Sequence, residues 1–400
     1  MHAISYADWS GAEYRAALRC IATGRVANGG KIALLAQRLA ALYAPSSVYP
    51  VNFGHTAIRM ALALFAQRTS GSGRTEVVIP RYICPSVVQS VQGAGLTPVM
   101  AGVGTDLNLT AESVQAVLGP RTLAVIAPHM FGCPADIGAI ERVCRAAGVW
   151  LIDDAAQVVG IARDGRQLGT FGDIGIVSFA QSKTVVAGVR GAGGLLLVNN
   201  HELDAPLRAQ WQALAPARGR LHALVFFLFN HVWKRRAGNI GYYFTRMAGM
   251  LGFHPRQYDE NAKISNLDAA LALAQLGRLE PLKKARIAVV EAYQRALAAV
   301  PGVTMPQYAP GRYLARVMVA LPPHVDVAAL RARLKVLGVE TRTGYPAPAG
   351  NSGDDAWMGR LVGLPFRAGM DKEEVDQVCG LLRQALESTS QIGKSANEAH

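Results

Sequence analysis

Lys183 stands at the end of a segment that reads as a buried strand. Residues 171–188, FGDIGIVSFAQSKTVVAG, are apolar through Ile174, Ile176, Val177 and Phe179, then present Ser178, Gln181, Ser182 and a single amine. Glycines follow at Gly188, Gly191, Gly193 and Gly194, where backbone can approach a flat ligand. An amine among small and apolar groups loses its proton more readily than a solvated one and can attack a carbonyl to form a Schiff base. A lysine that only snorkels to the surface fits the same pattern. The second signal is LIDD, ending at Asp153 and Asp154. A carboxylate there can pair with a protonated ring nitrogen, start a helix or bind a metal, and no histidine is close enough in sequence to favour the metal. The third is Gly54-His55-Thr56, directly before the helical run TAIRMALALF. Backbone N–H groups at a helix start suit a phosphate.

Groups so far apart need a scaffold that gathers them. KIALLAQRLAALY reads as a helix and VYPVNFG as a short strand ending in glycine; TEVVIP, LTPVMAGV, LAVIAPHMFG and VWLIDDAA are further strands, each separated from the next by a helical stretch. TAESVQAVLG opens with a capping-box start at Thr110, of imperfect spacing. Near-continuous apolar strands alternating with helices predict an α/β fold, a mostly parallel sheet covered on both faces. Ligands bind beyond the carboxyl ends of such strands. That edge would carry residues 54–56, Arg81-Tyr82, His129, Asp153-Asp154, Gln157 and 178–183.

The texture changes after about Leu279, so residues 1–280 are expected to form a large cofactor-binding domain, 281–390 a smaller C-terminal α+β domain, and 391–400 a frayed polar tail. With 400 residues, half of them hydrophobic, a sizeable core is available. No apolar run is long enough to span a bilayer and the start lacks the order of a secretory signal, so a cytoplasmic location is expected. Five cysteines without C-x-x-C spacing suggest reduced thiols and no zinc site. The net charge of +13 is largely local: between Asp204 and Asp259 there are eight basic residues, from Arg208 to Arg256, and no acid. With no zinc-finger or RNP-like motif, a nucleic-acid partner is not expected.

Together, LIDDAAQ and, a dozen residues on, GTFGDIGIVSFAQSKTVVAGVRGAGGLLLVNN, whose lysine falls 29 residues after Asp154, resemble the DegT/StrS-type sugar aminotransferases, pyridoxal-phosphate enzymes of fold type I. VNFGHTAIRMAL, VIPRYICPSVVQSVQGAGLTPVM, RTLAVIAPHMFGCPADIGAI, NAKISNLDAALALAQLGRL and GLPFRAGMDKEEVDQV extend the resemblance over most of the chain. It implies that Lys183 holds the cofactor covalently and serves as the base that moves a proton. It implies that Asp154 pairs with the pyridinium, that Gln157 bonds the 3-hydroxyl, and that Ser178 with the amides at Gly54, His55 and Thr56 holds the phosphate. Asn261 would reach the phosphate of the neighbouring subunit, making a homodimer the minimal active unit. Tyr82 is the candidate for stacking on the ring, with Cys84 as the alternative; His129 is as well suited to a structural bond as to a ligand contact. Departures from the family pattern are Phe53 and His55 before the phosphate helix, Lys263 for an arginine, Ala192 for a glutamate, and no histidine after TGYPAP.

The implied function is amination of a keto group on a sugar nucleotide or related carbohydrate, with glutamate as donor. The retained lysine argues against the dehydratases of the family, which carry histidine there. The basic, aromatic insert at 205–258 could be a dimer interface, a lid, or, through 221–256, a contact with an anionic membrane surface. The last option brings an alternative acceptor, a lipid-linked or amphiphilic ketone reached at the inner face of the membrane. A catalytically silent binding protein would have no need for Asp154, Gln157, Ser178 and Lys183 together.

Overall fold

The computed structural model describes the chain except residues 1, 5–6, 189–192, 229–249, 251–259, 309–311, 347–352 and 398–400. The chain divides into two compact units, Trp9–Leu279 and a second made of Met1–Asp8 with Glu280–His400.

The larger unit contains helices α1 (Gly11–Ala22), α2 (Lys31–Leu42), α3 (Gly54–Arg68), α4 (Pro85–Gly93), α5 (Ala111–Gln115), α6 (Ile137–Ala147), α7 (Asp204–Ala213), α8 (Arg220–Phe227) and α9 (Asn266–Leu276). Apart from a short hairpin of Ala162–Arg163 with Arg166–Gln167, its strands are β1 (Ser47–Val51), β2 (Glu76–Pro80), β3 (Thr97–Ala101), β4 (Thr122–Pro128), β5 (Trp150–Asp154), β6 (Ile174–Ser178), β7 (Gly194–Val198), β8 (Ala215–Pro216) and β9 (Ala262–Lys263). Among the described residues they form one nine-stranded sheet in the order β8-β9-β1-β7-β6-β5-β4-β2-β3. The β3-β2-β4-β5-β6 block is parallel, while β7 runs antiparallel to both β6 and β1. The reversal of β7 has a direct consequence: its start and the ends of β1, β2, β4, β5 and β6 all lie at one edge.

Every residue of β4, β6 and β7 is buried, as strands covered on both faces must be. Side chains alternate between two apolar clusters. Ile152, Ile174, Ile176, Leu196 and Val198 pack with the Ile58–Phe65 face of α3, while Leu151, Val177, Leu195 and Leu197 pack with residues of α2 and α9 on the other side. Local chemistry sets the helix ends. Asp136 caps α6, which closes on Gly148 at φ +62°, and Thr110 and Ser113 form a reciprocal capping box on α5.

The second unit holds α10 (Leu279–Leu297) from Glu280 onward, β10 (Val317–Ala320), α11 (Val327–Val336), β11 (Arg342–Thr343), β12 (Leu361–Leu364) and α12 (Lys372–Asn397). Its antiparallel sheet has the order β10-β12-β11. The first residues of the chain are tied into it: His2 bridges to Val339, and Asp8 accepts from Arg286 at 2.7 Å and from the Ala368 amide at 2.8 Å. The tail, expected to fray, continues α12 to Asn397. The segment contains no proline, and a single glycine costs a helix only about 1 kcal/mol. Among the described residues no helix is long and apolar enough to cross a membrane.

Candidate active site

β5 ends on two carboxylates that point to opposite faces of the sheet. Asp153 is fully buried and fully used: His129 Nε2 lies 2.7 Å from Oδ1, and Oδ2 accepts from the amides of Gly169 at 2.6 Å and Phe171 at 3.1 Å. The Ala135 amide donates to His129 Nδ1 at 3.0 Å, so the imidazole proton sits on Nε2 and is donated to Asp153. Of the two roles open to His129, the structural one is therefore occupied.

Asp154 faces the α3 side and is 6% exposed. Burial pushes its carboxyl above the ordinary value, opposed chiefly by the positive charge of Lys183, then by the Ala156 amide at 3.0 Å and by His129. The amine whose charge favours the ionised carboxyl lies 29 positions further along the sequence. Three residues beyond Asp154, buried Gln157 places Nε2 3.8 Å from the Met130 sulfur and leaves Oε1 with no hydrogen-bond partner. An orphaned buried carbonyl costs about 1–3 kcal/mol, which a ligand donor would restore.

Strand register brings the phosphate-type residues to the same place. Asp154 pairs with Ile176; two residues on, Ser178 pairs with Gly194, which also pairs with Val51 at the end of β1. From Val51 the chain turns directly into α3, whose N-cap Phe53 offers no side-chain bond. The Thr56 amide closes a turn on the Phe53 carbonyl at 3.2 Å, leaving the Gly54 and His55 amides at the helix mouth. Close approach explains Gly194, where a Cβ would strike the Val177 carbonyl, whereas a Cβ on Gly54 would make only ordinary contact with Ser178 Cβ at 3.5 Å. Ser178 Oγ accepts from the Ala180 amide at 3.4 Å, a long bond that leaves hydroxyl capacity for a ligand.

His55 stacks on Phe53 with centroids 4.4 Å apart. Burial holds its imidazole below the ordinary value, helped by the charge of Arg59 and opposed by Glu260, whose Oε1 is 4.0 Å away. The Thr56 hydroxyl donates to the Glu260 carbonyl, and Arg59 pairs with the Glu260 carboxylate at 2.7 Å and donates to Asn261 Oδ1 at 3.4 Å. Within one chain, then, Asn261 lies beside the start of its own α3. Arg59 and Glu260 were not singled out from sequence; an arginine five residues into a phosphate-type helix was the available signal.

Tyr82 is fully buried beyond β2 and meets Phe131 edge-on, centroids 6.2 Å apart, whereas Cys84 is half-buried as the N-cap of α4, with Sγ 3.2 Å from Ser86 Oγ. Phe131, at φ +52°, and Ser182, at φ +65°, adopt left-handed backbone beside Gln157 and Lys183 respectively. Non-glycine residues do so at a cost, and such positions concentrate at ligand sites. In the basic insert, α8 is pinned by a buried Arg220–Asp268 pair at 2.6 Å, and Leu221 and Val225 are exposed one turn apart. Most of 221–256 lies outside the described residues, as does Ala192.

The edge thus joins an amine, a buried carboxylate, an amide lacking a partner and an uncapped helix start. The model of the DegT/DnrJ/EryC1/StrS aminotransferase family matches residues 9–383. Among curated relatives, a GDP-perosamine synthase of Caulobacter vibrioides is 29% identical over 357 residues, covering 84% of each chain. A GDP-perosamine synthase of Vibrio cholerae is 28% identical over 285 residues, 70% of this chain and 67% of that one. Among solved structures, Helicobacter pylori PseC, an aminotransferase involved in the biosynthesis of pseudoaminic acid, superposes with a TM-score of 0.75 at 17% identity, covering 97% of this chain and 99% of that one.

Proposed function

Because the chain belongs to the DegT/DnrJ/EryC1/StrS aminotransferase family, we propose that it converts a keto group of a sugar nucleotide to an amine, using pyridoxal 5'-phosphate and glutamate as amino donor. Its fold is fold type I, shared with the solved aminotransferases. The name of the relatives, GDP-perosamine synthase, supports a sugar nucleotide as acceptor. The observation that carries the reading is the arrangement at the carboxyl edge of the sheet, where strand register gathers buried Asp154, Ser178 and the uncapped start of α3, with Gln157 Oε1 lacking a hydrogen-bond partner close by in sequence.

The site's demands fit the cofactor. A buried carboxylate calls for a cation, Gln157 Oε1 for a donor, and the bare start of α3 for an anion. A protonated pyridine ring with a hydroxyl and a phosphate meets all three. When bound, that group withdraws electrons from the substrate carbon bearing nitrogen. Asp154 would keep the ring nitrogen protonated; Gln157 would orient the ring through its hydroxyl; Ser178 and the amides of Gly54 and His55 would hold the phosphate, the Thr56 amide being taken by the Phe53 carbonyl. Lys183 Nζ would hold the group covalently and would serve as the base that moves a proton between the substrate carbon and the cofactor carbon. Tyr82, or Cys84 at the mouth of α4, lies on the ring side. Asn261, bonded to Arg59 beside the start of its own α3, would serve the phosphate of its own subunit rather than reach into a neighbour, and the homodimer expected from the resemblance is kept as a proposal without that contact.

Incubation with pyridoxal 5'-phosphate followed by borohydride reduction tests the assignment: the adduct should map to the peptide containing Lys183, and an adduct elsewhere overturns it. Glutamate with a panel of keto-sugar nucleotides tests the acceptor. The exposed Leu221 and Val225 of α8 favour a second reading, an amphiphilic ketone met at a membrane surface. Failure to sediment with anionic vesicles at low salt removes it.

A further inference from the structure

Lys183 sits in the middle of a closed loop. The Phe179 amide donates to the Gly193 carbonyl at 2.8 Å, and the Ala187 amide returns to the Phe179 carbonyl at 2.9 Å. Between these closures, at Val186, the backbone is gripped on both of its polar groups by side chains from distant parts of the chain. Gln275, on α9, accepts from the Val186 amide at 2.7 Å; Trp9, just before α1, donates from Nε1 to the Val186 carbonyl at 2.7 Å. Val186 is 1% exposed and Gln275 is 1% exposed.

Gln275 is an odd choice for stability alone. Its acceptor is satisfied, but its Nε2 is buried with no partner, which costs stability that a leucine would not. The loop gains from the bond what the core loses. Ser182, directly before Lys183, is held at φ +65°, a conformation that persists only where the surroundings over-determine it. A two-sided hold on Val186, four residues after Ser182 and three after Lys183, supplies that constraint.

We propose that Trp9 and Gln275 are positioning residues for Lys183: by gripping both polar groups of Val186 they hold the lysine loop in the strained form that aims the amine at the Asp154 side of the sheet. This rests on the reading of Lys183 as the reacting amine. Neither residue touches the reacting atoms. With the clamp released, the loop relaxes at Ser182 and the amine wanders, so that covalent capture slows even though the pocket residues are unchanged.

The test uses the full chain with Gln275→Leu, and Gln275→Glu as the rescue that keeps a carbonyl oxygen for the Val186 amide. Hydrogen exchange without cofactor should be about tenfold faster or more over 179–187 in Gln275→Leu, while α3 and β4 keep their protection. Covalent fixation of added pyridoxal 5'-phosphate on Lys183, trapped by borohydride, should slow by about tenfold or more, with Tm within about 3 °C of wild type. Gln275→Glu should recover both. Unchanged exchange in the loop overturns the proposal, and so does a uniform rise in exchange across the sheet. If Gln275→Leu does not fold, Trp9→Phe, which keeps an aromatic ring and deletes the donating N–H together with part of the indole, is read in the same way. A wild-type chain that takes no label on Lys183 refutes the functional reading instead, and the exchange measurement still decides the clamp.

Discussion

On one face of β5, Asp153 meets three donors: the His129 imidazole and the amides of Gly169 and Phe171. On the other, its neighbour Asp154 has one amide at 3.0 Å and the charge of Lys183, and burial raises its carboxyl. The same group one residue apart is thus spent on folding in the first case and held in reserve in the second. Polar groups that close on one another rigidify a scaffold, whereas those left short of partners mark where a ligand completes the set. Gln157 Oε1 and the uncapped start of α3 lie on the unfinished side with Asp154.

The largest effect that sharpens this contrast is expected at Lys183. Lys183→Ala should abolish the borohydride-reducible adduct and cut amino transfer by about 10³-fold or more, measured on the glutamate half-reaction. Persistence of the adduct would break the comparison at its centre. Next come the two aspartates, which should respond in opposite currencies. Asp153→Asn replaces one accepting oxygen with an NH2 that faces either His129 Nε2 or the Gly169 and Phe171 amides, and should lower unfolding free energy by about 3 kcal/mol in urea titrations. Asp154→Asn should lower the glutamate half-reaction by about 10²-fold while leaving the cofactor-free protein as stable as wild type or up to about 1 kcal/mol more stable at pH 7.

The sign of that last effect follows from linkage. The folded carboxyl of Asp154 lies above its unfolded value, so its contribution to stability is fully present below the unfolded value and is lost as pH rises through the folded one. Cofactor-free wild type should therefore lose stability over that window relative to Asp154→Asn, and parallel pH profiles would contradict the reading. A smaller effect is expected at Gln157→Leu: cofactor affinity weaker by about tenfold by fluorescence titration, with no loss of cofactor-free stability. The smallest lies at His55, whose imidazole is held low by burial and by Arg59. A bound phosphate nearby should raise its NMR-detected titration midpoint, and a midpoint that does not move on loading would remove His55 from the phosphate site.

Much of the scaffold was legible because its causes are local. Apolar runs such as LAVIAP and IGIVS read as strands buried on both faces, and they are β4 and β6. Glycine before TAIRMALALF read as a phosphate-type helix start, and α3 begins at Gly54 without a side-chain cap. Less legible was the fate of His129, because whether its ring reaches Asp153 depends on the register of β4 against β5, a non-local quantity. The continuation of α12 to Asn397 was missed because polar composition argues against burial and leaves helix propensity untouched.

By itself, the amino-acid order determined which chemical groups exist and which segments are strands or helices, since periodicity and backbone preference act over a few residues. Only tertiary structure decided which aspartate is consumed by the scaffold, which amide is left orphaned and which side chains grip the lysine loop. Trp9 and Gln275 reach Val186 across 177 and 89 residues of chain. Contacts of that range leave no periodic trace, because they arise only when the sheet has closed and brought distant backbone groups within about 3 Å.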